Sequence, residues 1–226
     1  SCTLPSYFVG QPLEQGDAFV KFGIEVKDRA EHSQEITQTR AIAKEPVRIF
    51  LVPESGELVP SLPNRIYAMT TYPDGSPAET RVTLHFGSQV ETKRANRVGI
   101  AIFEIVPTGR QATVTVTAAD QRGNSGEIEK VFTYGDREEQ ILVRADRALY
   151  QVGDQMRLEI LATKKGPVYL DLVRGRQTVL TKSVWVEGGK ASVAIGLGAD
   201  NAGTLVVQAY MVTPTSDIVR DRKVVY

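Results

Sequence analysis

Cysteine is nearly missing from this 226-residue chain, with Cys2 the one copy. No intrachain disulfide can form, so the hydrophobic cores must hold the fold unaided. Histidine is almost as scarce, at His32 and His85 alone, and no Gly-x-Ser-x-Gly run accompanies either. A nucleophile paired with a base therefore has no support in the sequence, and no enzymatic activity is expected. None of Asn64, Asn96, Asn124 or Asn201 opens an Asn-x-Ser/Thr acceptor, which argues against a glycosylated secreted animal protein. No apolar run approaches the roughly 20 residues of a membrane helix, and the N-terminus lacks the basic, apolar and small-residue order of a secretory signal. The chain is accordingly expected to start inside a longer or processed protein, with Cys2 at a cut edge or as a buried thiol rather than as a lipid anchor. Charge of one sign is absent too. Lys and Arg number 27 and Asp and Glu 27, so neither nucleic acid nor an anionic membrane is an expected partner.

What the sequence does contain is alternation. In Ala18–Val26 the residues Val20, Phe22, Ile24 and Val26 share one parity, and a second strand is expected over Gln34–Ile42 beyond a polar turn. Two strands cannot close a sandwich, so residues 1–44 read as the last hairpin of a preceding unit. From 45 to 135 the expected strands are Val47–Val52, Arg65–Tyr72, Thr80–Phe86, Val98–Val106, Ala112–Ala118 and Glu127–Tyr134, spaced as in an all-β sandwich. Gly135 to Glu139 has no apolar anchor, which marks an interdomain boundary and predicts a hinge. A third unit, 136–226, offers seven further strands, with Leu158 and Ile160 inward and Glu159 outward. Arg65-Ile66 recurs as Arg157-Leu158 roughly 90 residues later, a spacing suited to tandem sandwich modules.

Val52-Pro53-Glu54-Ser55-Gly56, continuing through Arg65–Tyr72 to Pro73-Asp74-Gly75-Ser76-Pro77-Ala78, resembles the fourth macroglobulin-like domain of bacterial alpha-2-macroglobulin family proteins. Ala148-Leu149-Tyr150-Gln151-Val152-Gly153-Asp154 and Asp217-Ile218-Val219-Arg220-Asp221 resemble the fifth. The pattern departs at Ser61 and Pro63, where relatives more often have glycine and glutamate. The resemblance implies tandem macroglobulin-like sandwiches of the fibronectin/Ig-like kind, with residues 1–44 closing the third such domain. It further implies a non-catalytic scaffold of a broad-spectrum protease inhibitor, outside the cytoplasm in a periplasm, cell envelope or medium. Its partners would be the other domains of the full-length protein and that protein's target proteases. The family's thioester run Cys-Gly-Glu-Gln is not in this sequence. An Ig-like adhesin or cell-surface binding module is the alternative, because sandwiches host many functions.

No catalytic, cofactor-binding or metal residue is assigned, and no cofactor is expected. Asp120, Asn124 and Glu127 gather oxygen atoms around glycines, but their spacing fits a hairpin turn better than a calcium loop. Gly188-Gly189 and Gly196-Leu197-Gly198 read as turns, without the lysine and helix that a phosphate cradle needs. Arg137, Arg144, Arg147, Arg174, Arg176, Arg220 and Arg222 alternate mostly with acids and read as solvated strand faces. Trp185, between Val184 and Val186, is expected in the core.

Overall fold

The computed structural model describes residues 18–28, 30, 32–43, 45–135 and 139–226. The chain is all-β. β1 (Ala18–Lys27) and β2 (Ser33–Ile42) form an antiparallel hairpin in which Ile24 lies opposite Ile36. Phe22, Ile24, Val26 and Ile36 on it are exposed.

Seven strands follow: β3 (Arg48–Pro53), β4 (Asn64–Thr71), β5 (Arg81–Phe86), β6 (Gln89–Arg94), β7 (Ile100–Ile105), β8 (Gln111–Ala119) and β9 (Ser125–Thr133). They make a three-stranded sheet, β3-β4-β7, facing a four-stranded one, β6-β5-β8-β9. The period of two built into Ile66-Tyr67-Ala68 and Val114-Thr115-Val116 sends one side chain of each pair inward. Ile66, Val82, Phe103 and Val114 fill the space between these sheets. Burying each such side chain contributes about 1.5–3 kcal/mol.

The next seven strands repeat the plan: β10 (Ile141–Ala145), β11 (Gln155–Ala162), β12 (Gly166–Arg174), β13 (Gln177–Val186), β14 (Lys190–Gly196), β15 (Leu205–Val212) and β16 (Ile218–Val225). Their sheets are β10-β11-β14 and β13-β12-β15-β16, the same order of strands along the chain as in the first sandwich. Leu158 and Ile160 point into this core while Glu159 points away, as the alternation predicts.

Two features depart from expectation. β6 is not among the expected strands, because Gln-Val-Glu-Thr-Lys-Arg has no apolar face. It is an edge strand that gains its order from pairing with β5, so burial left little mark on its residues. Trp185 is not in the core but 62% exposed, since the alternation in Val184-Trp185-Val186 turns the two valines inward and the indole out.

Long side chains close the open strand edges. Lys93 donates to the Ile102 carbonyl at 2.8 Å and Gln89 to that of Glu104 at 3.0 Å, both on β7. Lys130 donates to Leu51 on β3 at 3.1 Å, and Lys182 to Ala194 on β14 at 3.4 Å. Carbonyls held in this way are poor templates for another strand, which guards the sandwiches against edge-to-edge association.

Candidate functional site

The most constrained polar assembly lies where the two sandwiches meet, and it grows from the turn after β3. Asn64, fully buried, accepts from the Val59 amide at 2.7 Å and donates to the carbonyls of Val59 and Leu62 at 2.7 and 2.6 Å. One side chain thus fixes the whole loop. Ser61 in that loop sits at φ 63°, the left-handed region that favours glycine.

The loop presents Glu54 to β10, whose sequence Ile-Leu-Val-Arg is buried on both faces. Ile141 and Val143 enter the second core, whereas Leu142 packs with Leu161 and Leu62, supported by Val59, in a small cluster shared by both sandwiches. Arg144 shares that second face. Its Nε and Nη2 donate to the two Glu54 oxygens at 2.8 and 2.6 Å, a bidentate pair with side chains only 7% and 3% exposed. Nη2 also reaches the Pro63 carbonyl at 2.7 Å, and Nη1 reaches Glu159 at 3.2 Å and Glu104 at 3.6 Å. Lys190 completes the group by pairing with Glu159.

A second bridge lies alongside. Lys223 donates to the Glu54 carbonyl at 2.7 Å, and Asp221 accepts from the Val143 amide at 2.8 Å and from the Ser55 hydroxyl at 3.4 Å. Burial draws the Arg144 pKa down, but the hydrogen bonds and charge of Glu54, with Glu159 and Glu104 behind them, leave it above its ordinary value. Hydrogen bonding from Lys190, then from Arg144, lowers the Glu159 carboxyl. Burial raises Asp221, outweighing the amides of Val143 and Arg222 that favour its charged form.

The expected hinge falls at Gly135 to Glu139, on the chain between the two sandwiches. Gly135 is described but residues 136–138 lie outside the described residues, and an interface forms from residues on either side of that stretch. The sequence signal was present in β10, where Leu142 and Arg144 share a parity opposite Ile141 and Val143. An apolar residue on both parities indicates a strand covered on both faces. Arg144 is likewise no solvated arginine, and Glu159 is not a free surface acid.

The other singled-out residues do not converge. His32 is exposed in the β1–β2 turn, with Nδ1 3.0 Å from Asp28, whose carboxyl that bond lowers. His85 is exposed on β5 opposite Val90 and Thr115. Asp120 is occupied by its own turn, accepting from the Arg122 and Asn124 amides, the Asn124 side chain and the Tyr72 hydroxyl. Gly188 and Gly189, both at positive φ, form the β13–β14 hairpin turn. Arg147 pairs with Asp146 and Asp154. Cys2 and Arg137 lie outside the described residues. Among the described residues no group of His, Cys, Asp and Glu could hold a metal ion, and no helix is long and apolar enough to cross a membrane.

No family model and no curated protein matches the chain. Among solved structures it is similar to Escherichia coli alpha-2-macroglobulin activated by porcine elastase, at 10% identity and a TM-score of 0.33 over 93% of this chain and 26% of that one. Salmonella alpha-2-macroglobulin reacted with methylamine gives 11% identity and a TM-score of 0.34 over 95% and 17%. A tetra-tandem repeat from the extending region of a large adhesion protein gives 16% and 0.34 over 92% and 56%. The chain spans about a quarter or less of these macroglobulin chains. Superpositions this loose carry no argument, and the all-β assignment rests on the sheets themselves.

Two outcomes test the junction. Glu54→Ala leaves the Arg144 guanidinium buried without its main partner and is expected to cost about 3–5 kcal/mol. Replacing both, as Glu54→Leu with Arg144→Met, is expected to cost much less, because no buried charge is orphaned. Denaturant unfolding measures both, and equal losses would mean that the ion pair itself supplies the stability.

Asp221 sets a pH dependence of known sign. Its folded pKa is raised, so the folded state holds the proton more tightly than the unfolded chain does. Its contribution to stability is greatest in acid and is lost as pH rises from about 4, the ordinary Asp range, through the raised value. The difference in unfolding free energy between the parent and Asp221→Asn should fall across that window. A flat difference would show that Asp221 titrates alike in both states.

Proposed function

We propose that this chain is a non-catalytic scaffold segment of an alpha-2-macroglobulin-like protease inhibitor, working outside the cytoplasm. The observation that carries the reading is the Glu54–Arg144 junction. It holds two sandwiches of the same strand order in one arrangement, as a load-transmitting frame requires and a flexible tether does not. The runs over 52–78, 148–154 and 217–221 support the particular family. Residues 45–135 and 136–226 would be successive macroglobulin-like modules, and the hairpin β1–β2 would close a sheet supplied by the chain before it. Inhibition by trapping couples cleavage of a mobile segment to collapse of the frame around it. A packed sandwich resists cleavage because a protease must first draw the segment out, against the free energy of folding.

The test incubates the 226-residue chain, and separately any longer natural protein that contains it, with serine and metalloproteases. Cleavage is followed together with residual activity on large and small substrates. The short chain is expected to survive and to inhibit nothing. The longer protein is expected to be cut once outside 45–226, with activity lost on large substrates only. Rapid single cleavage within 140–226 with the same selective loss would instead place the working bait inside this chain. A longer protein with no effect on any protease would remove the inhibitor reading.

A further inference from the structure

The outer face of the four-stranded sheet β13-β12-β15-β16 points away from both cores. Cross-strand register sets Ser183, Tyr169, Tyr210 and Arg220 in one row, and Thr181, Asp171, Gln208 and Arg222 in the next. Trp185 stands opposite Pro167, two residues along each strand from Ser183 and Tyr169. Strands lie about 4.8 Å apart, so a row spans about 14 Å, roughly three linked pyranose rings.

This face is built rather than merely exposed. The rings of Tyr169 and Tyr210 stack with centroids 5.5 Å apart at 26°. In the next row Asp171 accepts from the Thr181 hydroxyl at 2.7 Å. Little conformational freedom remains to be lost on binding. Beside this ordered pair, Trp185 leaves most of its surface in water.

The other side of the face is cationic. Arg220 and Arg222 are exposed, and among the described residues neither guanidinium is in an ion pair, in contrast to Arg144 and Arg147. Two planar forks on alternate residues of one strand suit carboxylates repeated along a polymer. Aromatic rings suit the C–H faces of pyranoses, and Gln208, Ser183 and Thr181 suit hydroxyls. An apolar protein partner would need a dry centre, but here the exposed Val212 and Ile218 lie at one end and the exposed Val179 and Val224 at the other, and the rows between them carry Arg220, Arg222, Gln208 and Asp171.

We propose that this face binds an extended anionic polysaccharide of the uronate class, with Tyr169, Tyr210 and Trp185 stacking on sugar rings and Arg220 and Arg222 pairing with uronate carboxylates. This goes beyond the scaffold reading and holds independently of it.

The test is affinity electrophoresis of the intact chain in gels containing polygalacturonate, alginate, neutral dextran or polyglutamate. Retardation is expected with the uronate polymers and not with dextran. Tyr169→Ala and Trp185→Ala should each weaken it by about ten-fold. The pair Arg220→Gln and Arg222→Gln should abolish it along with its salt sensitivity. These side chains are exposed or half-buried, and unchanged thermal melting of each variant separates lost binding from lost fold. No retardation by any uronate polymer would overturn the proposal. So would equal retardation by polyglutamate with no effect of the aromatic variants, which would mark a docking face for acidic protein.

Discussion

The contact on which the arrangement depends is the bidentate pair between Glu54 and Arg144, two side chains 90 residues apart in sequence and almost wholly out of water. Removing both charges from solvent is expensive, and their attraction offsets that only with good geometry and with the remaining donors satisfied. Both conditions are met, since the guanidinium also bonds the Pro63 carbonyl and Glu159. The pair adds little net stability over a well-packed apolar substitute. What it supplies is direction. Leu62, Leu142 and Leu161 could slide over one another, but a two-pronged hydrogen bond accepts one relative placement of the loop and β10.

The rest of the molecule serves that placement. Asn64 freezes the loop carrying Glu54, the Arg65 amide donates to a Glu54 oxygen at 2.7 Å, and Lys223 takes the Glu54 backbone carbonyl. Each sandwich supplies a rigid half because its alternating strands fill a core that no intrachain disulfide supports. The lysines and glutamine lying over the edge carbonyls keep those sheets from recruiting other strands. Stiffness along the chain and inertness at the edges are what a frame built from repeated sandwiches requires.

Most strands were legible from the sequence, because a period of two records burial directly: Ile66, Val114, Leu158 and Ile160 announce their own faces. β6 was not, since its half-buried face carries Gln89, Glu91 and Lys93 and its exposed face Val90, so polarity does not follow burial there, and its order comes from β5. Trp185 misled because size suggests burial while parity decides it. The junction was hardest to see. Arg144-Ala145-Asp146-Arg147 has the charge alternation of a wet strand, and its true partner Glu54 lies beyond any local window. The connection between the expected strands Val47–Val52 and Arg65–Tyr72 is visible in the sequence, but its purpose appears only when β10 is set against it.

The buried pair of Glu54 and Arg144 fixes the two sandwiches as one body, which the distance distribution between them reports. Spin labels at Gln111→Cys on β8 and Thr178→Cys on β13, with Cys2 replaced by serine, report on it through pulsed dipolar spectroscopy. A single narrow distribution is expected, one that broadens markedly when Glu54→Ala is added. A distribution that is already broad, or one whose width Glu54→Ala leaves unchanged, would contradict it.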